Sequence, residues 1–129
     1  MSRIIAQTIV RIDSQLIFVV QAGTAMERGS VGTGVTIARE VFADRAYDDD
    51  GLIVLREQPD AVIHDPDIIA ARAIAMIRDR VLITQNNKKI ACDADTICVH
   101  GDTPGAVAIA RALRNAIERE GFELRAFGI

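Results

Sequence analysis

The segment Thr96-Ile97-Cys98-Val99-His100-Gly101-Asp102-Thr103-Pro104-Gly105 constrains the fold more than any other part of the chain. Ile97, Cys98 and Val99 form the apolar end of a strand, and Ala106, Ile109, Leu113 and Ile117 follow at helical spacing. Thr103 is placed to cap that helix and Pro104 to take its first position, where a missing amide costs nothing. A strand running straight into a helix is one half of a parallel β-α unit. His100 and Asp102 then fall at the strand's C-terminal end, where α/β proteins concentrate their chemistry. The first-turn amides of the helix have no internal partners and carry partial positive charge, which suits a carboxylate or a phosphate. The alternative reading is a capped turn with no chemistry of its own.

The rest of the chain alternates in the same manner. Residues 4–12 have a helical pattern, and residues 15–20 form a continuous apolar strand. Thr24 is placed to cap a brief helix, which Gly29, Gly32 and Gly34 weaken because glycine costs about 1 kcal/mol in a helix interior. Residues 35–40 resume as a strand, and residues 52–55 form a short one. Asp65 is expected as an N-cap with Pro66 first in the helix and Asp67 favourable in its first turn; the helix runs to Arg78, with Ile69, Ala73 and Met76 along one face. Residues 81–84 and 89–92 flank Gln85-Asn86-Asn87-Lys88 as a hairpin. Gly121 closes the final helix and residues 122–127 form a last strand. This order predicts an α/β fold with mainly parallel strands, in a single domain over residues 1–129.

Half of the 129 residues are apolar, enough for one packed core. The net charge of -3, with acids and bases interspersed and 4% aromatic residues, excludes a nucleic-acid or membrane-binding surface. No apolar run approaches the ~20 residues of a membrane span and no signal pattern opens the chain, so a cytoplasmic location is expected. Small molecules and protein partners remain. Cys92 and Cys98 lack zinc-ligand spacing and read as free structural thiols. His64 and His100 are the only histidines, and the spacing leaves a metal site open.

Three blocks, Glu40-Val41-Phe42-Ala43-Asp44-Arg45-Ala46-Tyr47, Ala61-Val62-Ile63-His64-Asp65-Pro66 and the segment from Thr96 to Val107, closely resemble the LamB/YcsF family in order and spacing. The likeness covers residues 35–121 well and residues 1–34 loosely, and corresponds to the family's C-terminal half. It implies part of a β/α barrel of the kind shared with glycoside hydrolases and polysaccharide deacetylases. It also implies ATP-dependent opening of the 5-oxoproline lactam to glutamate, carried out with partner subunits. A complete barrel takes ~200 residues or more, so the chain is expected to need a missing N-terminal half or to pair with itself through open strand edges, as a homo-oligomer. The competing readings are a barrel remnant without catalysis and, by fold analogy alone, a metal-dependent deacetylase.

Lactam opening requires stabilisation of the amide oxygen and an acid or base for the attacking water. At the matched positions, Asp44, Arg45, His100 and Asp102 are the catalytic candidates. His100 would move a proton, Asp44 or Asp102 would orient water or a metal, and Arg45 with Arg56 would grip a carboxylate or phosphoryl group. Glu40, Tyr47, Arg56, Gly101 and Thr103 are the candidates for binding substrate or an anion. Asp44 with Arg45 reads alternatively as a surface ion pair, and His64 with Asp65 as a helix brace.

Overall fold

The computed structural model describes residues 1–126. In chain order the elements are α1 (Ser2–Ile12), β1 (Ile17–Gln21), α2 (Ala25–Ser30), β2 (Thr36–Phe42), α3 (Pro66–Arg78), β3 (Val81–Ile83), β4 (Lys89–Ala91), β5 (Thr96–Cys98) and α4 (Ala106–Arg119). β1, β2 and β5 form a parallel sheet in that order. Its register runs from Ile17 opposite Thr36 to Gln21 opposite Glu40, and from Glu40 opposite Thr96 to Phe42 opposite Cys98. β3 and β4 pair antiparallel as the expected hairpin, outside that sheet.

Strand alternation gives the sheet two unlike faces. Ala22, Val41, Ala43, Ile97 and Val99 share one face and pack into two apolar clusters. One cluster holds Ile69, Ala73, Ile109, Leu113 and Ile117 of α3 and α4, while the other holds Tyr47, Met76 and Leu82. Val19, Gln21, Glu40, Phe42 and Cys98 share the opposite face, of which only Phe42 touches a cluster. The stripes read from α3 and α4 are therefore the contact between each helix and the core face of the sheet.

Local chemistry accounts for most of the boundaries. Asp65 caps α3, its carboxylate accepting from the amides of Asp67 and Ile68 at 2.9 and 3.2 Å. Gly29 lies where α2 meets α1: a Cβ there would come within 2.5 Å of the Ser2 Cβ. The glycine that weakens α2 in sequence is thus required by the close approach of two helices.

Three expectations are corrected. Thr103 does not cap α4. The Ala106 amide donates to the Thr103 carbonyl at 3.0 Å, and Gly105 takes φ +82°, so Thr103-Pro104-Gly105-Ala106 is a turn with proline second and a left-handed glycine third. Proline also disfavours helical backbone at the residue before it, and α4 accordingly starts at Ala106. Residues 52–55 form no strand; they fold back on residues 46–48 through isolated bridging, with Asp48 donating to the Leu52 carbonyl and Val54 to that of Ala46. Residues 122–126 also form no strand, and the expected end of that strand at Phe127 lies outside the described residues.

Arg72 ties these parts together. It stands beside Ile69, Ala73 and Met76 on the inner side of α3, and its guanidinium donates to the carbonyls of Ala43, Arg45 and Ile83 at 3.4, 3.0 and 3.2 Å. Burial lowers its pKa from the usual arginine range. One side chain thus binds α3 to the segment after β2 and to the hairpin. In chemical denaturation Ile69→Ala, which empties a site with no solvent exposure, is expected to cost about 2–5 kcal/mol. Asp65→Ala, which removes only the cap, is expected to cost about 1 kcal/mol.

Candidate active site

The three parallel strands end at Gln21, Phe42 and Cys98, and the segments beyond them make one edge. After β2 the chain stays inside the protein, and residues 43–47 are all buried. Asp44 has no solvent exposure and so must find its hydrogen bonds within the chain. It finds them two residues past β5. The His100 amide donates to Oδ2 at 2.8 Å, and the imidazole Nδ1 lies 3.0 and 3.1 Å from the two carboxylate oxygens. In the neutral ring, a carboxylate acceptor places the proton on Nδ1 and leaves the lone pair on Nε2. The His100 side chain is 22% exposed, so the ring is braced on one edge and reachable on the other. The Phe42 ring stacks on it, with centroids 5.7 Å apart.

Glu40 lies on the same face as Phe42, one strand layer deeper and near His100. Burial raises its carboxyl above the ordinary glutamate range, and the nearby imidazole partly offsets this. Burial likewise raises the Cys98 thiol, which suits a structural role for it. Asp102, in the loop after β5, meets Arg56 of the segment before α3, Nη1 to Oδ2 at 3.1 Å, with about half or more of each side chain in solvent. That hydrogen bond lowers the Asp102 pKa. Gly101 is exposed and Thr103 half-buried in the same loop. Asp65 is the α3 cap, as the brace reading has it, and His64 beside it is exposed.

The sequence candidates therefore separate into groups. Asp44, His100 and Glu40 converge on one edge, with Arg56 and Asp102 paired beside the chain that leaves it. Arg45 and Tyr47 do not join them. Arg45 is 7% exposed and its guanidinium donates to the carbonyls of Ala61 and Val54 at 3.2 and 2.6 Å, so the expected fork with Arg56 is not formed. It makes no surface pair with Asp44 either. Tyr47 is fully buried; its hydroxyl accepts from the Phe42 amide at 2.8 Å, and burial pushes its pKa up to about 12. It supports the strand that carries the site and forms no wall of it. Phe42 is the neighbour that sequence reasoning passed over, although the period-two series Glu40, Phe42, Asp44 places all three on one face. Among the described residues no three His, Cys, Asp or Glu side chains converge as a set of metal ligands, and no helix is long and apolar enough to cross a membrane.

A parallel α/β sheet with a carboxylate-braced histidine at its C-terminal edge is thus the class that fold and site define. The LamB/YcsF family profile matches residues 1–128, and the chain belongs to that family. The match takes in residues 1–34, where only a loose likeness was expected. The chain is 46% identical over 123 residues to a 5-oxoprolinase subunit of Rhodopseudomonas palustris (strain BisB18), covering 95% of this chain and 48% of that protein. It is 45% identical over 126 residues to the corresponding 5-oxoprolinase subunit of Nitrobacter hamburgensis, covering 98% and 49%. Among solved structures it is similar to the lactam utilization protein from Thermus thermophilus, with a TM-score of 0.87 and 36% identity over 98% of this chain and 50% of that one. The chain spans about half the length of the relatives it matches.

Removing the imidazole while Asp44 remains leaves a buried carboxylate short of donors. His100→Ala is therefore expected to lower stability by about 3–5 kcal/mol, whereas His100→Asn, which offers an amide nitrogen near the Nδ1 position, keeps most of it; thermal melts of the two variants check this. Glu40 has the opposite sign. A carboxyl whose folded pKa is raised favours the folded state at low pH and loses that contribution as pH rises through the raised value. At pH 7 the charged, half-buried group is a burden, so Glu40→Gln is expected to raise the melting temperature there. The gain should vanish below the 4.5 of an ordinary glutamate, which melts taken from pH 3 to 8 would resolve.

Proposed function

We propose that the chain supplies the acid–base edge of a 5-oxoprolinase-type hydrolase that opens the lactam of 5-oxoproline to glutamate. The observation that carries this reading is the His100 imidazole, held through Nδ1 by the fully buried Asp44 and free at Nε2. The names of the relatives, 5-oxoprolinase subunits and a lactam utilization protein, support the substrate class. In this reading Nε2 of His100 takes a proton from water as its oxygen attacks the lactam carbonyl carbon. The ring C–N bond then breaks and the same proton passes to the departing nitrogen, so one lactam and one water give one glutamate. Asp44 fixes the ring and stabilises the imidazolium between the two transfers. Phe42 covers one face of the imidazole, and Arg56 at the rim can exchange Asp102 for the substrate carboxylate.

ATP dependence, which the family resemblance implies, belongs in this reading to the complete assembly. The donor set at this edge does not fit a polyphosphate: Glu40, Asp44 and Asp102 make it acidic against the single guanidinium of Arg56. The nucleotide and the stabilisation of the lactam oxygen are therefore assigned to partner subunits or to the remaining length that the relatives possess. The parallel sheet is read as part of a β/α barrel with β1 and β5 as its open edges. Ile4, Leu16, Val19 and Val31, all exposed, give the β1 side an apolar surface for that remainder or for a second copy.

The test is lactam-dependent ATP hydrolysis by the chain assembled with its partner subunits. His100→Asn, chosen because it keeps the brace to Asp44, is expected to lower turnover by at least about a hundredfold; turnover equal to that of the parent overturns the reading. Self-association through the open edges predicts a species heavier than the 14.0 kDa chain in light scattering of the chain alone.

A further inference from the structure

Arg72 is a half-buried cation to which the lactam chemistry gives no role. Among the described residues its hydrogen bonds all run to backbone carbonyls, one from each guanidinium nitrogen: Nε to Ala43, Nη1 to Ile83 and Nη2 to Arg45. Burial lowers its pKa, so the surroundings disfavour the charge, and an apolar side chain would pack on this side of α3 without that cost. Two of the three carbonyls flank Asp44. The Ala43 carbonyl belongs to the peptide that enters Asp44, and the Arg45 carbonyl to the residue that follows it. The Asp44 carbonyl between them accepts from the Ile63 amide at 2.9 Å. Three consecutive carbonyls are thus engaged, and the backbone at Asp44 cannot turn without breaking one of these bonds. The direction of the Asp44 side chain follows from that backbone, and its carboxylate meets the two His100 nitrogens at 2.8, 3.0 and 3.1 Å. Hydrogen bonds weaken steeply as they lengthen and bend, so a small turn of this segment would release the ring.

We propose that Arg72 is a positioning residue for His100: by holding the peptides around Asp44 it aims the carboxylate that keeps the imidazole in its Nδ1–H form. Its hydrogen bonds reach neither the ring nor the carboxylate, so it acts through the backbone that carries Asp44. The effect on turnover rests on the acid–base reading of Nε2, while the effect on the ring stands apart from it.

The experiment records long-range proton–nitrogen correlations of the histidine rings in the isotope-labelled chain. At a pH above the ordinary histidine pKa of ~6.5, each neutral ring reports its ratio of Nδ1–H to Nε2–H forms. The exposed His64 gives the ratio of an unbraced ring, and His100 is expected largely as Nδ1–H. Arg72→Met keeps an unbranched side chain on the helix but removes the guanidinium, and it is expected to move the His100 ratio toward that of His64. Arg72→Lys, whose ammonium cannot span both peptides as a planar fork does, is expected to fall between the two. It carries the test if the methionine variant does not fold. Leu113→Ala, which opens the same core from α4, is expected to lower the melting temperature and leave the ratio alone. In the chain assembled with its partner subunits, Arg72→Met should lower kcat on the order of tenfold with KM unchanged, because the ring acts in the transition state and not in binding. The parent ratio in the folded Arg72 variants, an equal change of ratio in Leu113→Ala, or kcat equal to that of the parent makes Arg72 a brace of the fold alone and overturns the proposal. Turnover that survives His100→Asn removes the acid–base reading instead, whatever the ring ratio does.

Discussion

A carboxylate with no access to water decides how this edge of the protein is built. Asp44 must be met by donors from within the chain, and both come from one residue just past β5: the His100 amide and the His100 ring. The polypeptide after β5 is thereby pinned to the polypeptide after β2, across a span of sequence that includes α3 and the hairpin. The same bonds select one tautomer of the neutral imidazole, so the constraint that satisfies the interior also sets the ring atom on which the proposed acid–base role depends.

The buried segment at residues 43–47 gives that edge its stiffness. Arg45 points inward onto two backbone carbonyls, Tyr47 accepts from the Phe42 amide, and Arg72 reaches over from α3 to two carbonyls of the same stretch. Irregular backbone inside a protein carries polar groups that need partners; Arg72 supplies them to the carbonyls of Ala43 and Arg45, while Arg45 and Tyr47 tie the segment outward to Val54, Ala61 and Phe42. The chain thus spends two arginines on holding a loop in place, and the arginine beside the site that faces solvent is Arg56.

These assignments also explain what could and could not be read beforehand. The Asp65 cap, the α3 and α4 stripes and the hairpin were legible because each depends on residues close in sequence. The parallel sheet was legible from the alternation of elements. Residue type did not reveal direction: Arg45 and Tyr47 sit in the same motif as Asp44, but only the long-range fold sends them into the core. Thr103-Pro104 reads in sequence as a capped helix start, and the left-handed Gly105 makes it a proline-glycine turn instead. Residues 52–55 are apolar enough for a strand, but their pairing with residues 46–48 stops at the isolated bridge between Tyr47 and Ile53, a length that a sequence does not display. Arg72, a charge among the apolar positions of α3, was the visible signal of an internal brace.

The Arg72 fork places α3 mechanically in series with the edge that bears His100. One helix supplies core packing on its apolar side and, through a single side chain, holds the backbone on which Asp44 is mounted. A disturbance that rolls or slides this helix would be felt first as a loosened seat for the imidazole, well before the core comes apart. Damage far from the reactive groups would then register as misaligned chemistry in a protein that is still folded.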